Sequence, residues 1–185
     1  MTPATYGKGG RGMRIIYTTT NCSLGKVLVA ATERGVCSVT LGDSDSQLTT
    51  ALFAEYPNAS IDSKDTLISP SLNVWLNEVL DQIDGQSKRI ELPIDLQATA
   101  FQWRVWEELR RISFGSTKSY QQIAQAIGKP SAVRAVARAC ASNRLALVIP
   151  CHRVIREDES LGGYRWGLER KKRILRMERG KDGTV

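Results

Sequence analysis

Ser119-Tyr120-Gln121-Gln122-Ile123-Ala124, followed by Gly128-Lys129-Pro130-Ser131 and the alanine-rich run Ala132–Ser142, sets the fold of the second half of this 185-residue chain. Ser119 and Gln122 stand three residues apart, the spacing at which each side chain satisfies a free amide of the first helical turn. Ile123, Ala124 and Ile127 form one apolar face, and Gly128 ends that helix. Lys129-Pro130-Ser131 is a turn, with Ser131 expected to cap a second helix over Ala132–Ser142. A short helix, a glycine-containing turn and a helix of small residues make a helix-turn-helix pattern. Arg134 lies early in the second helix among alanines, where it could reach into a duplex. The residues alone leave it equally readable as a solvated arginine.

Upstream, Phe101, Val105, Trp106, Leu109 and Ile112 fall at helical spacing, so the second half reads as mainly α-helical. Its charge agrees with a polyanionic partner. Residues 97–180 hold 17 Lys/Arg against 7 Asp/Glu, whereas residues 1–96 hold 8 against 11. A basic half beside a mildly acidic one suggests contact with nucleic acid, although a basic solvated surface would look the same.

The first half reads differently. Met13–Thr18, Lys26–Thr32 and Val36–Leu41 are short β-branched runs separated by Asn21–Gly25 and Glu33-Arg34-Gly35, a three-stranded antiparallel meander. A helix is expected over Ser44–Tyr56, with Leu48, Leu52, Phe53 and Tyr56 on one face. Another is expected over about Pro70–Ile83, and Arg89–Leu96 reads as an extended segment limited by Pro93. Residues 1–12 read as a linker or tail, 13–96 as an α/β domain, 97–180 as the basic domain and 181–185 as a tail.

No apolar run approaches the ~20 residues that span a bilayer, and Met1–Met13 lacks the apolar core of a secretory signal. A cytoplasmic protein with reduced thiols is expected. Its cysteines, Cys22, Cys37, Cys140 and Cys151, form no CxxC pair, and there is one histidine. No metal site is expected.

That histidine, His152, follows Cys151 in Ile149-Pro150-Cys151-His152-Arg153. A thiol attacks as thiolate and needs a base or a positive field. Cys22, Cys37 and Cys140 suit a turn, a strand and a helix; Cys151 is singled out because buried positions rarely adjoin two cation-forming residues. On an extended strand His152 would face away from the sulfur, so it must act across a turn or through water. Glu178 lies beside Ile174 and Leu175 on a C-terminal helix. It could orient His152 as the third member of a triad-like chain, or be a salt-bridged surface residue, which the helix pattern favours.

These residues resemble a known family. Ile149–Ile155, Gly162-Gly163-Tyr164-Arg165-Trp166-Gly167, Phe101–Trp106, Ser119–Ala124, Gly128-Lys129-Pro130 with Val133–Val136, and Asn143 match the O6-alkylguanine-DNA alkyltransferases in order and spacing from about Met13 to Arg179. The likeness is greatest to the alkyltransferase half of bacterial adaptive-response regulators. Thr2–Tyr6 with Gly9-Gly10 resembles the tail of the segment that precedes it there, which leaves two readings open, a fragment or a free-standing relative.

The resemblance implies an RNase H-like α/β N-terminal domain and a winged-helix-like C-terminal domain carrying the helix-turn-helix. It implies stoichiometric transfer of an alkyl group from O6-methylguanine, and from O4-methylthymine, in double-stranded DNA to Cys151, with the base flipped out of the stack. In its terms Cys151, His152, Glu178, Tyr120 and Asn143 carry the chemistry. Arg134 fills the gap left by the base, and Ser131, Ala135 and Arg138 join it on the DNA. Pro150, Val154, Tyr164 and Arg165 line the base pocket, with backbone carbonyls of Cys151 and Val154 accepting from the exocyclic amine. The bulky Tyr164-Arg165-Trp166 leaves acceptance of large alkyl groups open. No cofactor, metal or membrane is implied, and a monomer is expected. Two other classes fit less well: a damage sensor would lack the nucleophilic cysteine, and a cysteine hydrolase would need an oxyanion-hole motif that is absent.

Overall fold

A computed structural model describes residues 9–63 and 70–180. The chain divides into two compact units, Met1–Gln97 and Ala98–Val185. The Thr2–Tyr6 match and the tail 181–185 lie outside the described residues.

In the first unit, β1 (Arg14–Cys22), β2 (Gly25–Thr32) and β3 (Gly35–Gly42) form the expected antiparallel meander. β4 (Ser60–Ser63), which the sequence pattern did not reveal, pairs parallel with β1 and gives the order β3-β2-β1-β4. It is four residues of mixed polarity, too short for alternation to show. Helix α1 (Asp45–Glu55) starts where the Ser44 hydroxyl accepts from the Gln47 amide. It lays Leu48 and Leu52 over Met13, Ile15, Leu28, Ala30 and Cys37. Tyr56 closes this core, and its hydroxyl donates to the Cys37 carbonyl. Helix α2 (Pro70–Ile83) buries Leu72, Val79 and Ile83.

Three expectations are corrected here. Phe53 is 49% exposed and not part of the α1 apolar face. Cys22 ends β1, opposite Gly25, and not in the turn. Gly9 and Gly10, expected in a linker, are tied in by Asn58 N–H to Gly9 O and Met13 N–H to Gly10 O. The Arg89–Leu96 segment, expected to be extended, makes one isolated bridge among the described residues, Val36 with Ile94. That bridge brings the Pro93 carbonyl so close that a Cβ on Gly35 (φ +151°) would lie 2.4 Å from its oxygen. Glycine is therefore required at the head of β3.

In the second unit, α3 (Ala100–Arg110) is followed by β5 (Lys118–Ser119), α4 (Tyr120–Ala126) and α5 (Val133–Ala141). A 3-10 turn (Cys151–Arg153), β6 (Val154–Ile155) and α6 (Leu168–Glu178) complete it. Strands β5 and β6 pair in parallel. The Ser119/Gln122 capping box forms as expected, and Thr99/Gln102 make a second at the start of α3. Ser131 does not cap α5: the cap position is Ala132, with no side-chain hydrogen bond. Helix α5 buries Val136, Ala139 and Cys140. Its small side chains let the Trp106 indole on α3 donate to the Ala139 carbonyl at 2.9 Å. The first unit is thus a sheet with helices and the second is mainly helical.

Candidate active site around Cys151

Asn143, just past α5 and fully buried, organises the approach to the cysteine. Its Oδ1 accepts from the Leu145 amide, and its Nδ2 donates to the carbonyls of Leu145 and Ile149. Between them Leu147 sits in the left-handed region at φ +67°, a conformation that costs a non-glycine residue about 1 kcal/mol or more. Two i to i+2 bonds, Val148 N–H to Ala146 O and Cys151 N–H to Ile149 O, tighten the segment into consecutive sharp turns. The third contact of Asn143 Nδ2 is Cys151 Sγ, at 3.2 Å.

Cys151 opens a 3-10 turn and not a strand. Strand alternation therefore does not apply, and Cys151, His152 and Arg153 are all buried, at 4, 0 and 5% exposure. The sequence argument that a cysteine beside two cation-forming residues avoids the interior is overturned. Both basic side chains are buried because they share one anion. His152 Nε2 lies 2.8 Å from Glu178 Oε1. Arg153 donates through Nε and Nη2 to the same carboxylate and through Nη1 to the Ile112 carbonyl. The Gly115 amide donates to Glu178 Oε2. Glu178 is thus the buried partner of His152 and not a surface glutamate.

The electrostatics follow. Burial pushes the Glu178 carboxyl up, but hydrogen bonds from His152 and Arg153 outweigh it and hold the group at about 2. Burial depresses His152, against the pull of Glu178. The stable pairing is a carboxylate with a neutral imidazole whose Nε2–H donates. Nδ1 then carries the lone pair; it is buried and has no hydrogen-bond partner among the described residues. Burial raises the Cys151 thiol, while the Asn143 amide and the charges of Lys171 and Arg165 draw it back. Burial raises Tyr120 to about 12, so its hydroxyl stays protonated and can donate.

The pocket residues expected from the sequence surround this centre. Tyr164 packs edge-on to His152 and Trp166, with centroids 6.4 and 5.1 Å away. Its hydroxyl is buried without a partner among the described residues. Pro150 and Val154 are buried, and the exposed Arg165 donates to the Asn143 carbonyl at 3.5 Å. Gly162 (φ +63°) passes Tyr120 so closely that a Cβ would lie 3.1 Å from Oη. Ser131, in the turn before α5, is exposed, as are Arg134 and Arg138 on the helix, and Ala135 is half-buried.

Two residues of this centre escaped the sequence reading. Arg153 was visible beside His152, but nothing local showed that it would clamp Glu178. Lys171, in a run of basic residues on α6, is 0% exposed. Its ammonium donates to the carbonyls of Val154, Leu161 and Gly163. Among the described residues no cluster of three or more His, Cys, Asp or Glu is placed to hold a metal. No described helix is long and apolar enough to cross a membrane.

Fold and site together define a protein with a buried cysteine beside a His–Glu pair and exposed arginines on a helix of the same unit. The chain belongs to the 6-O-methylguanine DNA methyltransferase family, whose ribonuclease-like domain matches residues 15–96 and whose DNA-binding domain matches residues 100–180. It is 46% identical over 178 residues to the bifunctional transcriptional activator/DNA repair enzyme Ada of Escherichia coli, covering 96% of this chain and 49% of that protein. The chain thus spans about half the length of that relative. A constitutive methylated-DNA–protein-cysteine methyltransferase of Bacillus subtilis is 32% identical over 88% of this chain and 94% of its own. The crystal structure of Mycobacterium tuberculosis OGT in complex with DNA superposes with a TM-score of 0.73 at 28% identity, covering 90% of this chain and 94% of that one.

Proposed function

We propose that this chain repairs DNA by moving the alkyl group of O6-methylguanine, and of O4-methylthymine, onto Cys151 in a single turnover. The observation that carries this is the Asn143–Cys151 contact beside the His152–Glu178–Arg153 cluster. One buried thiol has a donor that stabilises its anion and a neutral imidazole of fixed tautomer.

In this reading the thiol proton passes through water to His152 Nδ1, and Glu178, held by Arg153, stabilises the imidazolium. The sulfur attacks the methyl carbon. The S–C bond forms as the C–O6 bond breaks, and the electron pair moves into the guanine ring, which takes up a proton while Tyr120 Oη donates to the base. The product thioether is stable, so each chain acts once. The base must leave the stack to reach a buried thiol. Arg134 fills its place, with Ser131, Ala135 and Arg138 against the duplex. Pro150, Val154, Tyr164 and Arg165 wall the pocket. The Cys151 and Val154 carbonyls accept from the exocyclic amine; the latter already accepts from Lys171, and its second lone pair is the one that serves the base.

The helix-turn-helix α4–α5, with the β5–β6 pair beside it, is read as a winged-helix-like DNA-binding unit. The first unit is read as RNase H-like, and the protein as a cytoplasmic monomer without metal or cofactor. The test is label transfer from duplex carrying radiolabelled O6-methylguanine. The wild type takes up label and Cys151→Ala takes up none; label on the alanine variant overturns the proposal.

A further inference from the structure

Glu178 carries a negative charge into the interior, and two residues of the Cys151–Arg153 turn share it. Its side chain is 4% exposed, that of His152 0% and that of Arg153 6%. His152 Nε2 lies 2.8 Å from Oε1. Arg153 takes both oxygens: Nη2 donates to Oε1 at 2.8 Å and Nε to Oε2 at 2.9 Å. Oε1 is therefore shared between the imidazole and a permanent cation. The third arm of the guanidinium, Nη1, donates to the Ile112 carbonyl at 2.9 Å, and its central carbon lies 5.6 Å from the Phe114 ring. A planar group held at Ile112 has its fork fixed on the carboxylate.

With Arg153 in place, carboxylate and guanidinium cancel, and the imidazole can stay neutral with its one proton on Nε2. Without Arg153, a buried carboxylate would stand uncompensated, which is costly. A proton taken up by the His–Glu pair relieves it, and the two groups then titrate as a unit. Whether that proton rests on the ring or on the carboxyl, Nδ1 ends up protonated. An acid O–H can donate to Nε2 only if the ring proton has moved to Nδ1. Nδ1 is the buried nitrogen without a hydrogen-bond partner among the described residues, and the proposed reaction delivers the thiol proton to it.

We propose that Arg153 is a positioning residue: by compensating the Glu178 carboxylate it spares the His–Glu pair a second proton, and so keeps His152 Nδ1 free to act as a base. The proposal rests on the reading of Cys151 as the acceptor. The other groups around the pair leave this balance to Arg153. Cys151, next in the chain, and Tyr164, edge-on to the ring, are both raised by burial and so uncharged at neutral pH. The Gly115 amide, which donates to Oε2, carries no net charge. Lys171 on α6 gives its hydrogen bonds to the carbonyls of Val154, Leu161 and Gly163 and not to Glu178. Burial is the largest influence lowering His152; Arg153 and Lys171 act with it, against the pull of Glu178.

The test uses two variants of the full chain. Arg153→Gln removes the charge and keeps a donor; Arg153→Lys keeps the charge and loses the fork. The readout is the nitrogen NMR shift of Nδ1 in isotope-labelled protein as a function of pH, without DNA. The chain has one histidine, so the signal is unambiguous. In the wild type Nδ1 should be unprotonated at neutral pH. In Arg153→Gln its midpoint should rise by about one pH unit or more, the size of effect that an opposite charge in contact exerts. Arg153→Lys should return most of that shift. An Arg153→Gln titration that overlays the wild type overturns the proposal. So does an Arg153→Lys titration equal to that of Arg153→Gln, because the charge of residue 153 would then be irrelevant. Should Arg153→Gln fail to fold, the wild type decides: Nδ1 protonated at neutral pH overturns the proposal, and Nδ1 unprotonated there supports it. Failure here leaves methyl transfer from DNA standing. Failure of that transfer, with the titrations as expected, counts against the acceptor reading alone.

Discussion

The Asn143 side-chain amide lies 3.2 Å from Cys151 Sγ and 2.9 Å from the Ile149 carbonyl, so one group both shapes the turn and touches the thiol. Asn143→Ala removes both functions at once. It leaves the Leu145 amide and the Ile149 carbonyl short of a partner in the interior, and an unmet buried group costs about 1–3 kcal/mol. Thermal denaturation should show that loss. Cys151 should also react more slowly with iodoacetamide even at temperatures where the variant is folded. A variant that loses stability but keeps wild-type thiol reactivity would separate the two roles and remove the second.

The His152–Glu178 contact makes the fold acid-sensitive with a definite sign. Glu178 titrates at about 2 when folded against an ordinary 4.5. Its contribution is fully present above pH 4.5 and is lost as pH falls through 2, amounting to about 3 kcal/mol. His152, lowered by burial, adds in the same direction: below pH 6.5 the unfolded chain binds a proton that the folded imidazole resists. Stability measured by urea denaturation should therefore fall steadily as pH drops from 6.5. Glu178→Gln should be less stable at neutral pH and less dependent on acid; an unchanged slope would contradict the assignment.

Gly162 gives a test of the pocket itself. With φ +63° and a Cβ position 3.1 Å from Tyr120 Oη and 3.2 Å from Cε2, Gly162→Ala strains the backbone and pushes the phenol aside. The backbone effect should be about 1 kcal/mol. Repair should slow by more than that loss accounts for, because the proposed reaction needs the Tyr120 hydroxyl on the base. A repair rate equal to that of the wild type would place Tyr120 outside the reaction.

Arg134 is exposed on α5. Arg134→Ala should change stability by less than about 0.5 kcal/mol, as surface substitutions do. Repair of methylated duplex should nonetheless slow, while iodoacetamide reactivity of Cys151 stays unchanged because the thiol is untouched. Slowed repair together with slowed iodoacetamide reaction would mean that the substitution acts through the fold and not on the DNA.

What the sequence disclosed follows the physics of each signal. The meander, α1, α2 and the α4 capping box were legible because periodicity and caps are local. The opening stretch around Ser119 also led to the right helix pair, although its second helix starts without the Ser131 cap. β4 was hidden because its pairing with β1 is parallel and distant in sequence. Around Cys151 the residue types were readable and their burial was not. Adjacent His and Arg look like surface residues until Glu178, some 25 positions away, is seen to bind both. Lys171 could not be separated from its basic neighbours on α6, since only the carbonyls of Val154, Leu161 and Gly163 distinguish it.

In the proposed reaction Cys151 is the sole acceptor and acts once. Intact-protein mass spectrometry after incubation with excess O6-methylguanine duplex, with peptide mapping, tests it most directly. One added methyl group per chain is expected, all of it on Cys151, with no further change over time. Methyl on any other residue, more than one per chain, or repaired guanine in excess of protein would contradict it.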